Sequence, residues 1–152
     1  MPFRPGQQST YGFEDIECTF THKNGMKLDI YGQGAGSLTF TMSTATSVQD
    51  LSADGSVMTS KVQVPNGAVA VECQQTSDTH KWFLKLHNYL MTAEINEWAE
   101  ISMMMTCKHM KTEHIGQHMS IQKRADKPYQ QQGQRVTWTL LAGVLKEEPI
   151  GA

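Results

Sequence analysis

A mainly β fold, a small β-barrel or sandwich carrying one helix, is what this chain predicts, on three observations. Apolar and polar residues alternate through most of its length. One segment, 76–94, changes to helical spacing. Asn-Gly, Asp-Gly and Pro-Asn-Gly steps punctuate the alternating runs where turns are needed. The composition agrees: of 152 residues 39% are hydrophobic and 18% charged, with 12 glycines and many Thr, Ser and Gln, which suits half-exposed strands. That length is one domain with a core of its own, 1–152, and no internal repeat divides it.

Ile16, Cys18 and Phe20 fall on one face of a first strand, with Glu17, Thr19 and Thr21 on the other. Asn24-Gly25 turns the chain into a second, where Met26, Leu28 and Ile30 alternate with Lys27, Asp29 and Tyr31. After the connection GQGAGS, 32–37, Leu38, Phe40 and Met42 alternate with Thr39, Thr41 and Ser43. Past the turn at Pro65-Asn66-Gly67, Val69, Val71 and Cys73 share a face. A helix is predicted near 78–92, capped by Ser77 or Asp78, with Trp82, Leu86, Tyr89 and Leu90 as its apolar stripe. Strands resume over 98–108, with Ala99, Ile101, Met103, Met105 and Cys107 on one face. Gly116 breaks that run before a short strand at Met119 and Ile121. The polar connection 123–135 leads to a last strand, 136–142, that turns Trp138 and Leu140 inward.

Between the third and fourth of these runs lies the stretch 44–64, polar at nearly every position except Val48, Leu51, Val57 and Met58. With Ala53-Asp54-Gly55 at its centre it reads as a long hairpin that protrudes from the fold. Such a hairpin has no apolar face to hold it and needs a neighbour, including another subunit. The residues expected at that contact are Val48, Asp50, Leu51, Ala53, Asp54, Gly55, Ser56, Val57 and Met58.

Charge and cysteines exclude several function classes. The net charge is −2 and no Lys/Arg cluster exists for tight nucleic-acid binding. Cys18, Cys73 and Cys107 fall in apolar runs and in no CxxC pair, so buried reduced thiols are expected. The first ten residues, MPFRPGQQST, hold no apolar stretch for a signal peptide, and no eighteen consecutive residues are apolar, so a soluble product of the cytoplasm is expected.

Cys107, His109, Glu113, His114 and His118 are residue types that zinc accepts, but their spacing matches no finger or HExxH helix. GQGAG, 32–36, lacks the strand–GxGxxG–helix setting of a nucleotide loop. Asp50 and Asp54 sit in a polar hairpin that would raise neither carboxyl's pKa, and Leu51 and Ala53 interrupt any calcium-loop pattern. Met103-Met104-Met105 on a strand point to alternate faces, so at most two share a site. No catalytic residue, metal or cofactor is assigned, and no enzyme is expected. Two alternatives stay open: a metal-dependent β-barrel enzyme using His109, His114 and His118, and a β-sandwich module binding a small ligand.

Four stretches in this order carry a resemblance: the opening YGFEDIECTF, the ADGS at 53–56 in a long polar hairpin, VAVECQQTS (69–77) running into a helix, and the Trp-containing last strand GQRVTWTLLAG (133–143). Together they resemble the tail tube proteins of bacteriophages, especially contractile-tailed ones, a family related in fold to the tube protein of type VI secretion. The resemblance implies a β-barrel subunit, six to a ring, with rings stacked into the tube through which phage DNA enters the host. It implies as partners further copies of the chain, a tail sheath, a baseplate or tube initiator, a terminator and a tape measure protein, with DNA passing unbound. It places the protein in the virion tail, assembled in the host cytoplasm without a membrane anchor. The hairpin would then reach a neighbouring subunit or ring, and Thr39, Thr41 and Ser43 are candidates to face the lumen.

Overall fold

The computed structural model describes residues 16–30, 35–107 and 110–150. Strands β1 (Ile16–His22), β2 (Lys27–Ile30), β3 (Ala35–Met42), β4 (Ser47–Leu51), β5 (Val57–Lys61) and β6 (Gly67–Gln74) precede helix α1 (Asp78–Thr92), and β7 (Ile101–Cys107), β8 (Thr112–Ile121) and β9 (Arg135–Pro149) follow it. Seven strands form one sheet in the order β2-β1-β7-β8-β9-β6-β3, antiparallel throughout, while β4 and β5 pair only with each other.

The two edge strands, β2 and β3, follow one another in sequence, which decides the shape. A flat seven-stranded sheet is about 29 Å across. The chain from Ile30 to Ala35 spans at most about 18 Å. The sheet therefore curls into a half-barrel that brings its opposite edges together. The ring of Phe40 on β3 accordingly stacks on that of His114 on β8 at 4.1 Å, although two strands separate them in the sheet.

Alternation selects the inner face. Cys18 and Phe20, Val69, Val71 and Cys73 on β6, Ile101 and Met103, and Trp138 and Leu140 are buried, while their sequence neighbours point outward. Ser77 caps α1, its hydroxyl accepting from the His80 N–H at 3.3 Å. The helix plugs the half-barrel with Phe83, Leu86 and Leu90, which recur at 3.6-residue spacing. Phe83 meets Phe20 edge-on at 5.2 Å and stacks on Trp138 at 5.7 Å. Trp138, fully buried, gives its indole N–H to His80 Nδ1 at 3.0 Å. All three cysteines are buried free thiols, and burial pushes that of Cys18 up to about 12. Among the described residues no helix is long and apolar enough to cross a membrane.

Four sequence expectations shift. The helix falls over Asp78–Thr92 as expected, but its buried row runs through Phe83 and excludes Tyr89, whose hydroxyl donates to Glu97 at 3.0 Å. Gly116 does not break a strand. It lies buried inside β8, where an added Cβ would come within 2.7 Å of Met119 Sδ. The local break is two residues further on, a bulge at His118, whose φ is +53° and across which Met103↔Gly116 steps to Ile101↔Met119. Ala99 is exposed and precedes β7, and β9 runs to Pro149 because β8 pairs with its charged end.

Candidate assembly surfaces

The hairpin is built as its sequence requires. β4 and β5 pair in the register Ser47↔Lys61 to Leu51↔Val57, and Thr46 O accepts from the Val62 N–H at 2.9 Å below them. At the tip Gly55 takes φ +89°, a conformation that glycine alone adopts freely. Asp54 fixes the turn: its carboxylate accepts from the Ser52 hydroxyl and, at 2.9 Å, from the Ser56 N–H. Those hydrogen bonds, Ser52 first, hold its pKa down at about 2, so Asp54 is a turn-forming anion and no proton donor.

The rest of the hairpin touches little. All ten strand residues are exposed, including Val48, Leu51 at 70%, Val57 and Met58 at 61%. The register puts Val48, Asp50 and Met58 on one face and Leu51 and Val57 on the other. Neither face rests on the seven-stranded sheet, so four apolar side chains meet water.

A second surface is the sheet face opposite α1. Thr39 and Thr41 pair with Ala70 and Ala68, and the row continues through Thr139 on β9. On the far side of the same face lie Thr19 and Thr21 opposite Met104 and Ser102. Ser43 follows the end of β3, exposed, its N–H bonded to Asn66 O at 3.2 Å. Two of the basic groups on this face are engaged, Arg135 with Glu72 at 3.1 Å and Lys27 with Asp29 at 3.8 Å.

His114 stacks on Phe40 and lies 3.5 Å from Glu147, His118 occupies the β8 bulge, and His109 lies outside the described residues, as do the opening 11–15 and most of the GQGAG loop. Among the described residues no three His, Cys, Asp or Glu side chains are grouped to hold a metal. The sequence reading had no signal for the cleft of about 520 Å³ between the start of α1 and the connection before β9, because its walls are 40 residues apart in the chain.

A mainly β subunit, a half-barrel plugged by its own helix with an arm that exposes four apolar side chains, is the class that the fold defines first. The family follows from the sequence as a whole. The chain belongs to the bacteriophage PhiTE tail tube protein family, whose model matches residues 8–148. No curated protein matches it in sequence. Among solved structures it is similar to a chain of the anti-feeding prophage baseplate, with TM-score 0.65 at 13% identity over 96% of this chain and 100% of that one. It is also similar to a chain of the anti-feeding prophage tube-terminating cap, with TM-score 0.60 at 7% identity over 94% of this chain and 93% of that one. A chain of the sheath–tube complex of an extracellular contractile injection system in its extended state gives TM-score 0.57 at 7% identity over 88% of each. At those identities the likeness is one of fold. The protein is thus a component of the phage virion tail with a structural, tail tube role.

Proposed function

We propose that this chain is the repeating subunit of a contractile-tail tube, forming hexameric rings that stack into a conduit for DNA, and that it works by assembly and not by catalysis. The observation that carries the reading is the β4–β5 hairpin, whose apolar side chains are 52–70% exposed in the isolated chain. Covering them on a neighbouring subunit or ring removes that area from water at about 25 cal/mol per Å². The contact residues are Val48, Asp50, Leu51, Val57 and Met58, presented by the turn Ala53-Asp54-Gly55-Ser56.

Thr39, Thr41 and Ser43 are assigned to the lumen. In support, their face is rich in hydroxyls and its Arg135 and Lys27 are neutralised by carboxylates. A lumen wall of that kind offers a passing phosphate backbone few cations to bind. A sheath, a baseplate or initiator, a terminator and a tape measure protein are the partners this role requires.

Purified protein, seeded with its initiator if it needs one, should form rings or tubes in negative-stain images. Deleting 50–57, or substituting Asp54→Pro, should leave the half-barrel folded and stop polymerisation. Normal tubes from the deletion variant would rule out the hairpin's role.

A further inference from the structure

We propose that the two ends of α1 are complementary halves of one head-to-tail contact: a knob of Met91, Glu94 and Ile95 on one copy seats in the cleft at the start of α1 on the next. The inference rests on the assembly reading and adds to it a side-by-side joint separate from the hairpin.

The cleft has a volume of about 520 Å³ and is walled by His80, Leu84, Arg124, Ala125, Asp126, Lys127 and Tyr129. Its chemistry calls for one apolar group beside one carboxylate. Leu84 and Ala125 supply the apolar part. Arg124 and Lys127 supply two cations, neither within ion-pair distance of a carboxylate among the described residues, while Asp126 is engaged by Lys123 at 3.6 Å. Behind them stands His80, 2% exposed. Its Nδ1 accepts from Trp138, so the neutral ring carries its proton on Nε2, and that buried atom has no partner. An unpaired buried donor destabilises the fold, and an acceptor brought into the cleft can relieve it.

The far end of α1 presents the matching pair. Ile95, in the 3-10 turn after the helix, is 88% exposed, and Met91 beside it is 64% exposed. Glu94 is exposed next to them, whereas the neighbouring Glu97 already accepts from Tyr89 at 3.0 Å. A 15-residue helix is about 22 Å long, so the knob cannot reach the cleft of its own chain. Only a second copy can supply it. A contact between two different patches of the same chain repeats by rotation and closes into a ring when the angle allows.

The test reverses charges in the full-length protein. Glu94→Arg alone, and Arg124→Glu with Lys127→Glu alone, should each raise the concentration needed for assembly about tenfold or more. Combining all three should restore it, with circular dichroism unchanged throughout. A second arm uses Glu94→Cys with Lys127→Cys. Oxidised after assembly, the double variant should give a ladder of covalent multimers on a non-reducing gel, and a mixture of the two single variants dimers only. If the native chain assembles, and the reversed variants assemble at the same concentration with no ladder, this joint is wrong and the tube reading stands. If the native chain forms no assembly even when seeded, both fall.

Discussion

Two hairpins of this chain turn in the same way and end in opposite surroundings. At the β1–β2 turn His22 and Met26 close the loop, Gly25 takes φ +97°, and the Asn24 side chain accepts from the Met26 N–H at 2.9 Å. At the β4–β5 turn Ser52 and Ser56 close the loop, Gly55 takes φ +89°, and the Asp54 side chain accepts from the Ser56 N–H at 2.9 Å. Turn chemistry makes both hairpins. What differs is the row of side chains above the turn. β1 buries every second residue, with Phe20 wholly buried, whereas β4 and β5 are exposed at every step. A hairpin joins a core only when its apolar residues fall on one face. Those of β4–β5 are divided between two.

That contrast predicts a scale of effects. The largest belongs to the plug that α1 makes in the half-barrel. Trp138→Ala removes the ring that stacks on Phe83 and strands the His80 Nδ1 acceptor. It should cost about 3–5 kcal/mol in urea denaturation. Gly67→Ala comes next. The new Cβ would lie 2.6 Å from Thr41 O and 2.7 Å from Leu145 Cδ2, where β6 meets β3 and β9, and the crowding should cost about 1–3 kcal/mol by the same measurement.

Acid should act more weakly, through His80. Burial, helped by the nearby Lys127, holds this imidazole below its ordinary value of 6.5. Its neutral form therefore contributes stability that is full above the unfolded-state pKa and is lost as pH falls through the folded one. The denaturation midpoint should drop as the pH falls below about 7, and His80→Asn should flatten part of that drop. An identical pH slope in the variant would remove His80 as a source. At the bottom of the scale stands the hairpin. The 50–57 deletion, expected to stop assembly, should shift the monomer's midpoint by no more than about 0.5 kcal/mol. A large shift would mean the arm braces its own half-barrel, and the two hairpins would not differ in this way.

Much of this architecture is legible in the residues. Ser77 followed by a change of period marks the helix to its ends, and strict alternation marks β1, β3 and β6. The hairpin 44–64 is legible because Asp54-Gly55 specifies a turn and its arms specify no core face. β8 resists the same reading. Gly116 looks like a breaker in one dimension, yet it is the small residue that leaves room for Met119 and Met103 across the sheet. The charged end of β9 resists it too, since its strand character comes from pairing with β8 and from no periodicity of its own.

Local chemistry, then, determined the β class, the single helix, both Asx-Gly turns and the arm without a core, because each depends on residues a few positions apart. Only the tertiary structure decided the curl and the cleft at the start of α1. The curl arises because β2 and β3, adjacent in the chain, were sent to opposite edges of one sheet. The cleft arises because the connection before β9 was carried back to His80. Both are contacts between distant segments, and a sequence pattern records only which residues could take part in them.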